Sequence, residues 1–211
     1  MKEKIRNILD NAYFIGGSPC SGKSTISEVL VEEYDFNHYK IDDYEMEHIE
    51  QATSDKEPTM YNYLQMNWDE RLMRSPEKQA KELFDFYQER FNMILSDLEQ
   101  FSEDIPVILE GAALLPKRLD KIEIKKNKII YLVPSKEFQV KHYSERSWIK
   151  DILSECKDSE KAFENWMERD YQFGKLIINQ AEKLEHKVIY VDGEKTIEQN
   201  IKKVEKHFEL K

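Results

Sequence analysis

Cysteine is nearly absent. Cys20 and Cys156 are the only two in 211 residues, which excludes a disulfide framework and a cysteine-built metal site and points to a reducing cytoplasm as the compartment. Long apolar runs are absent too. The longest, residues 129–133, falls far short of the roughly 20 residues that a membrane-crossing helix needs. The first six residues have mixed charge and no apolar stretch, so no secretory signal is expected. Basic charge is outweighed: 32 Lys and Arg stand against 42 Asp and Glu, a formal charge of −10. A nucleic acid would be repelled at long range and is not the expected partner. The chain has no internal repeat, low-complexity tract or linker. With 40% apolar and 11% aromatic residues it can bury a sizeable core, and its length suits one domain over residues 1–211, as a monomer or homodimer.

What is there begins with Gly17-Ser18-Pro19-Cys20-Ser21-Gly22-Lys23-Ser24, a complete G-x-x-x-x-G-K-S phosphate loop. The apolar run Ala12-Tyr13-Phe14-Ile15 before it reads as a buried strand, and Ile26-Ser27-Glu28-Val29-Leu30 after it reads as a helix. In that setting Gly17 and Gly22 let successive backbone N–H groups surround a phosphate at the positive end of the helix dipole. Ser18, Cys20, Ser21 and Thr25 complete the expected nucleotide contacts. Lys23 would reach the β- and γ-phosphates, and the Ser24 hydroxyl would ligate Mg²⁺. The expected ligand is ATP with magnesium.

Five short apolar runs, residues 13–15, 38–41, 107–109, 129–133 and 188–191, alternate with charged segments of helical period. That alternation implies an α/β three-layer sandwich: a five-stranded parallel sheet with helices on both faces. Ligands of such sheets lie beyond the C-terminal strand ends, where carboxylates follow the second and third runs. Asp42 could accept a proton from an attacking hydroxyl and Asp43 could serve a metal-bound water, or the reverse; the plainer reading of the pair is a helix N-cap. Glu110 ends a buried apolar run, a costly place for a carboxylate unless it is paired, solvated or metal-linked. It is the third metal candidate beside Ser24 and Asp43.

More than sixty residues separate the second and third strands. Tyr61, Leu64, Trp68 and Leu72 fall at helical spacing, as do Phe84, Tyr87, Phe91, Ile94, Leu98 and Phe101, with Pro58 and Ser75-Pro76 suiting helix N-termini. Both stripes read as core packing, within a helical insertion over residues 44–100 that overhangs the acceptor site. Arg71 and Arg74 lie off the first stripe, where an anionic substrate or solvent would meet them equally well. Residues 135–175 read as lid-like helices, capped by Ser135. His142, Arg146 and Lys150 repeat every four residues and share a face. Arg146 could close over the triphosphate as its charge spreads during transfer; Arg169 is a weaker second, with Asp170 or Glu168 as its partner. Thr196 reads as the cap of the last helix.

The phosphate loop, Ile41-Asp42-Asp43 and Leu109-Glu110-Gly111 together make the chain resemble the small-molecule kinases of the P-loop superfamily, a group that spans shikimate, gluconate and nucleotide kinases, chloramphenicol phosphotransferase and the zeta toxins. The resemblance implies phosphate and Mg²⁺ binding by Lys23 and Ser24, activation of an acceptor by Asp42 and a lid role for Arg146. A compact run of lid arginines is missing, and so is a signature for any one acceptor. The implied activity is transfer of the γ-phosphoryl group of ATP to a small hydroxyl- or phosphate-bearing acceptor. Two alternatives stand: a nucleoside or nucleoside monophosphate kinase, and a regulatory module that binds ATP without transfer.

Overall fold

The computed structural model describes residues 2–211. Strands β1 (Tyr13–Gly17), β2 (Asn37–Lys40), β3 (Val107–Glu110), β4 (Ile129–Pro134) and β5 (Lys187–Val191) make one sheet. Every neighbouring pair is parallel, in the order β2-β3-β1-β4-β5. All five apolar runs of the sequence are therefore strands. The inner strands β1, β3 and β4 are apolar almost throughout because helices cover both faces of the sheet, whereas the edge strands β2 and β5 carry His38, Lys40 and Lys187. Along β4, Ile129, Tyr131 and Val133 enter one core while Ile130 and Leu132 enter the other.

The helices are α1 (Glu3–Asp10), α2 (Lys23–Tyr34), α3 (Glu45–Gln51), α4 (Pro58–Gln65), α5 (Trp68–Leu72), α6 (Pro76–Asp97), α7 (Pro116–Lys121), α8 (Lys136–Ser144), α9 (Ser147–Ser154), α10 (Ser159–Lys183) and α11 (Ile197–Phe208). One core forms where α2 and α11 bring Ile26, Leu30, Val204 and Phe208 onto the sheet. The larger core takes Ile8 of α1, Phe91 and Ile94 of α6, and Phe173 and Ile177 of α10. A third cluster of Leu72, Tyr143, Ile149 and Trp166 joins α5, α8, α9 and α10. Among the described residues no helix is long and apolar enough to cross a membrane.

The long helix of the insertion is as its stripe implies. Ser75 caps α6, Pro76 stands in its first turn, and Tyr87, Phe91 and Ile94 are buried. The other stripe is not core packing: Tyr61 and Leu64 are exposed and only Leu72 is fully buried. The chain breaks between α4 and α5, where Asn67 and Glu70 form a reciprocal capping box and the Arg71 guanidinium folds back onto the Tyr63 ring at 3.9 Å. The caps satisfy backbone groups that a continuous helix would have to pair through Met66 and Asn67.

The face shared by His142, Arg146 and Lys150 does not exist either. His142 lies on α8 and Lys150 on α9, and Arg146 is the extended residue between them. Tyr143 and Ile149 are six residues apart, about 240° around a continuous helix at ~100° per residue. The break lets both enter the same small core. By contrast Ser135 and Thr196 cap α8 and α11 as their positions imply.

The tightest packing in the sheet lies at the end of β1. Gly17 has φ +129, and a Cβ there would stand 1.9 Å from the Leu132 carbonyl oxygen of β4. Gly17→Ala is expected to cost at least ~2 kcal/mol, from backbone strain and forced separation of the two strands. Urea unfolding of the variant measures it, and an unchanged midpoint would contradict the close contact.

Candidate active site

Residues 18–22 connect β1 to α2. Gly22 is the N-cap of α2, at φ +82, with no side-chain cap and no acidic residue in the first turn. Helices α5, α6, α8, α10 and α11 are all capped by a side chain, from Asn67, Ser75, Ser135, Asp158 and Thr196. The first N–H groups of α2 are thus left without side-chain acceptors at the positive end of the helix. Ser21 Oγ and Lys23 Nζ both donate to the Ser18 carbonyl at 2.9 Å, and the Ser18 N–H donates to Leu132 O at 3.2 Å. Cys20 adopts a left-handed φ of +60, a conformation that costs about 1–2 kcal/mol in a residue with a Cβ. Lys23 is buried against the loop, while Ser24 and Thr25 are exposed at its mouth.

The acidic groups meet the loop through the sheet register. Ile15 lies opposite Glu110 and Glu110 opposite Lys40, so β2 and β3 end at one level and β1 runs two residues past it into the loop. There Ser24 Oγ donates to Glu110 Oε1 at 2.9 Å. Glu110 is only 3% exposed, and its Oε2 is buried without a partner. Burial raises its pKa above the ordinary carboxylate range; Lys23 and the Ser24 hydrogen bond oppose this and Asp42 adds to it. Gly111 lets the next turn close in: a Cβ there would meet Ile41 Cβ at 2.9 Å and Asp42 Oδ1 at 3.1 Å.

Asp42 and Asp43 occupy a single 3-10 turn, Ile41–Tyr44, and both are exposed. Neither caps α3, whose N-cap is Tyr44 with no side-chain hydrogen bond. Their charges act in different directions. Burial raises both Glu110 and Glu45, and Asp42 contributes to each. Burial lowers His38, and a hydrogen bond to Glu28 raises Lys40; Asp43 contributes to that pair instead. The structure therefore gathers Lys23, Ser24, Glu110 and Asp42, and leaves Asp43 beside the β2 edge. Magnesium fits this set, since the Ser24 hydroxyl and the unpartnered Glu110 oxygen are hard donors. Among the described residues no three His, Cys, Asp or Glu cluster for a metal, so phosphate and water oxygens would complete the shell.

Two cavities flank these residues. One, of about 330 Å³, opens beside the loop between Cys20, Thr25, Phe138, Arg146 and Ile197. The Arg146 guanidinium packs over the rings of Tyr143 at 5.1 Å and Trp148 at 5.8 Å. Its charge reaches the loop: burial raises the Cys20 thiol, and Arg146 opposes that rise. The second cavity, about 200 Å³, lies under the insertion and is lined by Glu45, Tyr63, Arg71, Arg74, Phe86 and Arg169. Arg169 is not at the phosphate loop; it pairs with the fully buried Asp170 at 2.7 Å, which also accepts from the Tyr143 hydroxyl at 2.9 Å.

Sequence reasoning missed the group that holds the Asp42 turn. Arg90 of α6 is fully buried. It donates to Glu45 Oε2 and His48 Nδ1, both at 2.9 Å, and to the Ile41 carbonyl just before Asp42. His48 continues to Asp97 at 2.8 Å, and the Tyr39 hydroxyl donates to the same carboxylate oxygen. A signal was available: Arg90 lies three residues after Tyr87 and four before Ile94, a charge on the apolar face of its helix.

No family model matches the chain, and no curated protein matches it. Solved structures do resemble it in shape. An uncharacterized Eubacterium ventriosum protein is 15% identical, covering 95% of this chain and 99% of that one, with a TM-score of 0.44. A Chloroflexus aurantiacus protein provisionally described as a kinase is 14% identical, covering 94% and 98%, with a TM-score of 0.41. A shikimate kinase from Aquifex aeolicus is 14% identical, covering 94% and 96%, with a TM-score of 0.37. At such values the likeness bears on neither substrate nor mechanism.

Two outcomes follow from the buried charges. Ionising Glu110 works against folding as pH rises from the unfolded carboxylate range through its raised folded-state value. The ligand-free Glu110→Gln protein should accordingly melt higher than its parent at pH 7–8, with the gap closing below about pH 4; a gap independent of pH would show that ionisation is not its cause. Arg90→Met should cost about 1–3 kcal/mol by leaving the Ile41 carbonyl and His48 Nδ1 without their donor. Denaturant unfolding reads this directly, and a loss under ~1 kcal/mol would show that the network contributes little.

Proposed function

We propose that the protein is an ATP-dependent phosphotransferase that moves the γ-phosphoryl group to a hydroxyl on a small acceptor. The observation that supports this reading best is the placement of Asp42 between Glu110, which meets Ser24 of the phosphate loop, and Glu45, which lines the second cavity. Donor and acceptor sites then adjoin at one carboxylate.

In this reading the N–H groups of the loop and of the first turn of α2 cradle the phosphates, and Lys23 leaves the Ser18 carbonyl to reach the β- and γ-oxygens. Ser24 and Glu110 would hold Mg²⁺, which when bound offsets charge on those oxygens. Asp42 accepts the proton of the acceptor hydroxyl as it attacks. Arg146 swings from its aromatic shelf to the spreading negative charge, a contribution of roughly 10³–10⁵ in rate where such an arginine is used. Asp43 supplies charge at the β2 edge and takes no direct part. The lid-like helices α8 and α9 close the site and exclude water. The second cavity is close in size to the roughly 150 Å³ cavity that takes benzene, which suits a single-ring acceptor better than a nucleoside monophosphate.

ATP binding and an acceptor screen that follows ATP consumption test this together. Lys23→Met should weaken Mg²⁺-ATP binding at least ~10-fold. Asp42→Ala should leave that binding intact while lowering acceptor-stimulated turnover by roughly 10²–10⁴. Tight ATP binding with no stimulation by any acceptor and no effect of Asp42→Ala would favour a regulatory module; stimulation by nucleosides or nucleoside monophosphates alone would favour a nucleotide kinase.

A further inference from the structure

The buried groups behind Asp42 form a chain with a direction. Arg90 spends three kinds of N–H at once: Nη1 on Glu45, Nη2 on the Ile41 carbonyl and Nε on His48 Nδ1. A guanidinium only donates, so Nδ1 is the bare nitrogen of the His48 ring and Nε2 the one that carries the proton. Nε2 lies 2.8 Å from Asp97 Oδ2, a carboxylate oxygen that also accepts from the Tyr39 hydroxyl. Burial and Asp97 hold that hydroxyl far above the ordinary phenol range, so it stays a donor. With a fixed donor at one end and an acceptor at the other, one tautomer of His48 satisfies the chain. The ring is buried. It faces Arg90 and Asp97 of α6, Tyr39 of β2 through the shared carboxylate, the Tyr44 ring at 6.5 Å between centroids, and Glu45 and Glu47 of its own helix. A second proton would set an Nδ1–H against the Arg90 Nε–H at 2.9 Å. Burial first and Arg90 next lower the His48 pKa, while Asp97 and Glu47 oppose them.

We propose that His48 is a positioning residue: as its Nε2–H tautomer it orients the Arg90 guanidinium, which holds the Ile41 carbonyl and with it the turn that carries Asp42. The role rests on the reading of Asp42 as the carboxylate that takes the proton of the acceptor. Glu45, on the opposite side of Arg90, is 36% exposed and lines the second cavity, so it is the looser of the two side-chain anchors. The two ends of the His48 ring are not equivalent. Asp97 is 22% exposed and keeps the Tyr39 hydroxyl, so water replaces a donor lost there. Arg90 is sealed from solvent, and no water replaces an acceptor lost at its Nε. The Nδ1 end therefore holds the turn, and the Nε2 end keeps the tautomer that makes Nδ1 an acceptor.

Nuclear magnetic resonance of the ring nitrogens in the full chain, without nucleotide, tests the tautomer. At about pH 7.5 His48 should show a bare Nδ1 and a protonated Nε2, and it should charge only below the ordinary histidine value of about 6.5. The opposite tautomer, or a ring that charges at or above that value, overturns the proposal, and neither result needs a variant that folds. Amide hydrogen exchange of the Ile41–Tyr44 turn, and of the Glu45 N–H that donates to the Asp42 carbonyl, reads the positioning. In His48→Asn the amide oxygen stands where Nδ1 stood and the contact with Asp97 is lost. In His48→Gln the amide reaches Asp97 and the acceptor for Arg90 is lost. The Gln variant should lower protection of the turn at least ~5-fold, while the Asn variant stays within ~2-fold of the parent. Equal protection in the two variants, whether kept or lost, or the reverse order, means that the ring only fills space and overturns the role. Mg²⁺-ATP binding by the parent separates the two proposals. A parent that does not bind it removes the phosphotransferase reading and leaves the hold of His48 on the turn, whereas bound ATP with equal protection in the two variants removes the positioning role alone.

Discussion

A hydrogen bond of 2.9 Å from Ser24 to Glu110 joins two parts of the chain 86 residues apart, and the rest of the site is arranged around it. It forms because β1 and β3 are neighbours in register, so that the loop leaving one strand and the carboxylate ending the other reach the same rim. A sheet built in simple sequential order would have separated them. The cost of the arrangement is visible at Glu110, a nearly buried carboxylate with one oxygen satisfied and one not. A buried carboxylate of this kind is costly unless it is protonated or its free oxygen finds a partner. That cost is one that a cation at the free oxygen would relieve.

Around that bond the protein balances rigid and open parts. Gly17 pins the start of the loop against β4, and Arg90 ties the turn that carries Asp42 to the long helix of the insertion. Between those anchors the loop itself stays open: an uncapped helix N-terminus, a left-handed Cys20, and a lysine resting on its own loop carbonyl. The stabilised elements fix where chemistry happens, and the strained ones are those a phosphate would reorganise.

Legibility in the sequence tracked the range of the interactions. Five strands and the caps at Ser75, Ser135 and Thr196 were readable because periodicity and capping act over a few residues. The breaks at Asn67 and Arg146 were not read, because an apolar helical pattern continues through both; at Asn67 the capping box with Glu70 was a local signal that the stripe masked, whereas at Arg146 the shared burial of Tyr143 and Ile149 favours interruption. The carboxylates were legible as a group at strand ends. The difference between Asp42 and Asp43 was not, since adjacent residues of one turn are told apart only by what surrounds them. Arg90 lay in plain view on an apolar helix face, and its three partners come from residues 41–48, more than forty positions upstream.

One connection remains between the two cavities, and it passes through buried groups. Arg169 lines the cavity under the insertion; Asp170, fully buried, binds Arg169 on one oxygen and the Tyr143 hydroxyl on the other. The Tyr143 ring in turn supports the Arg146 guanidinium beside the phosphate loop. A carboxylate sealed from water and divided between two donors cannot give up one without loading the other. Any ligand that draws Arg169 toward itself therefore bears on the ring on which Arg146 rests. Arg146 and the cavity under the insertion are in this way attached to one carboxylate on α10, a helix that also packs directly on the sheet and α6.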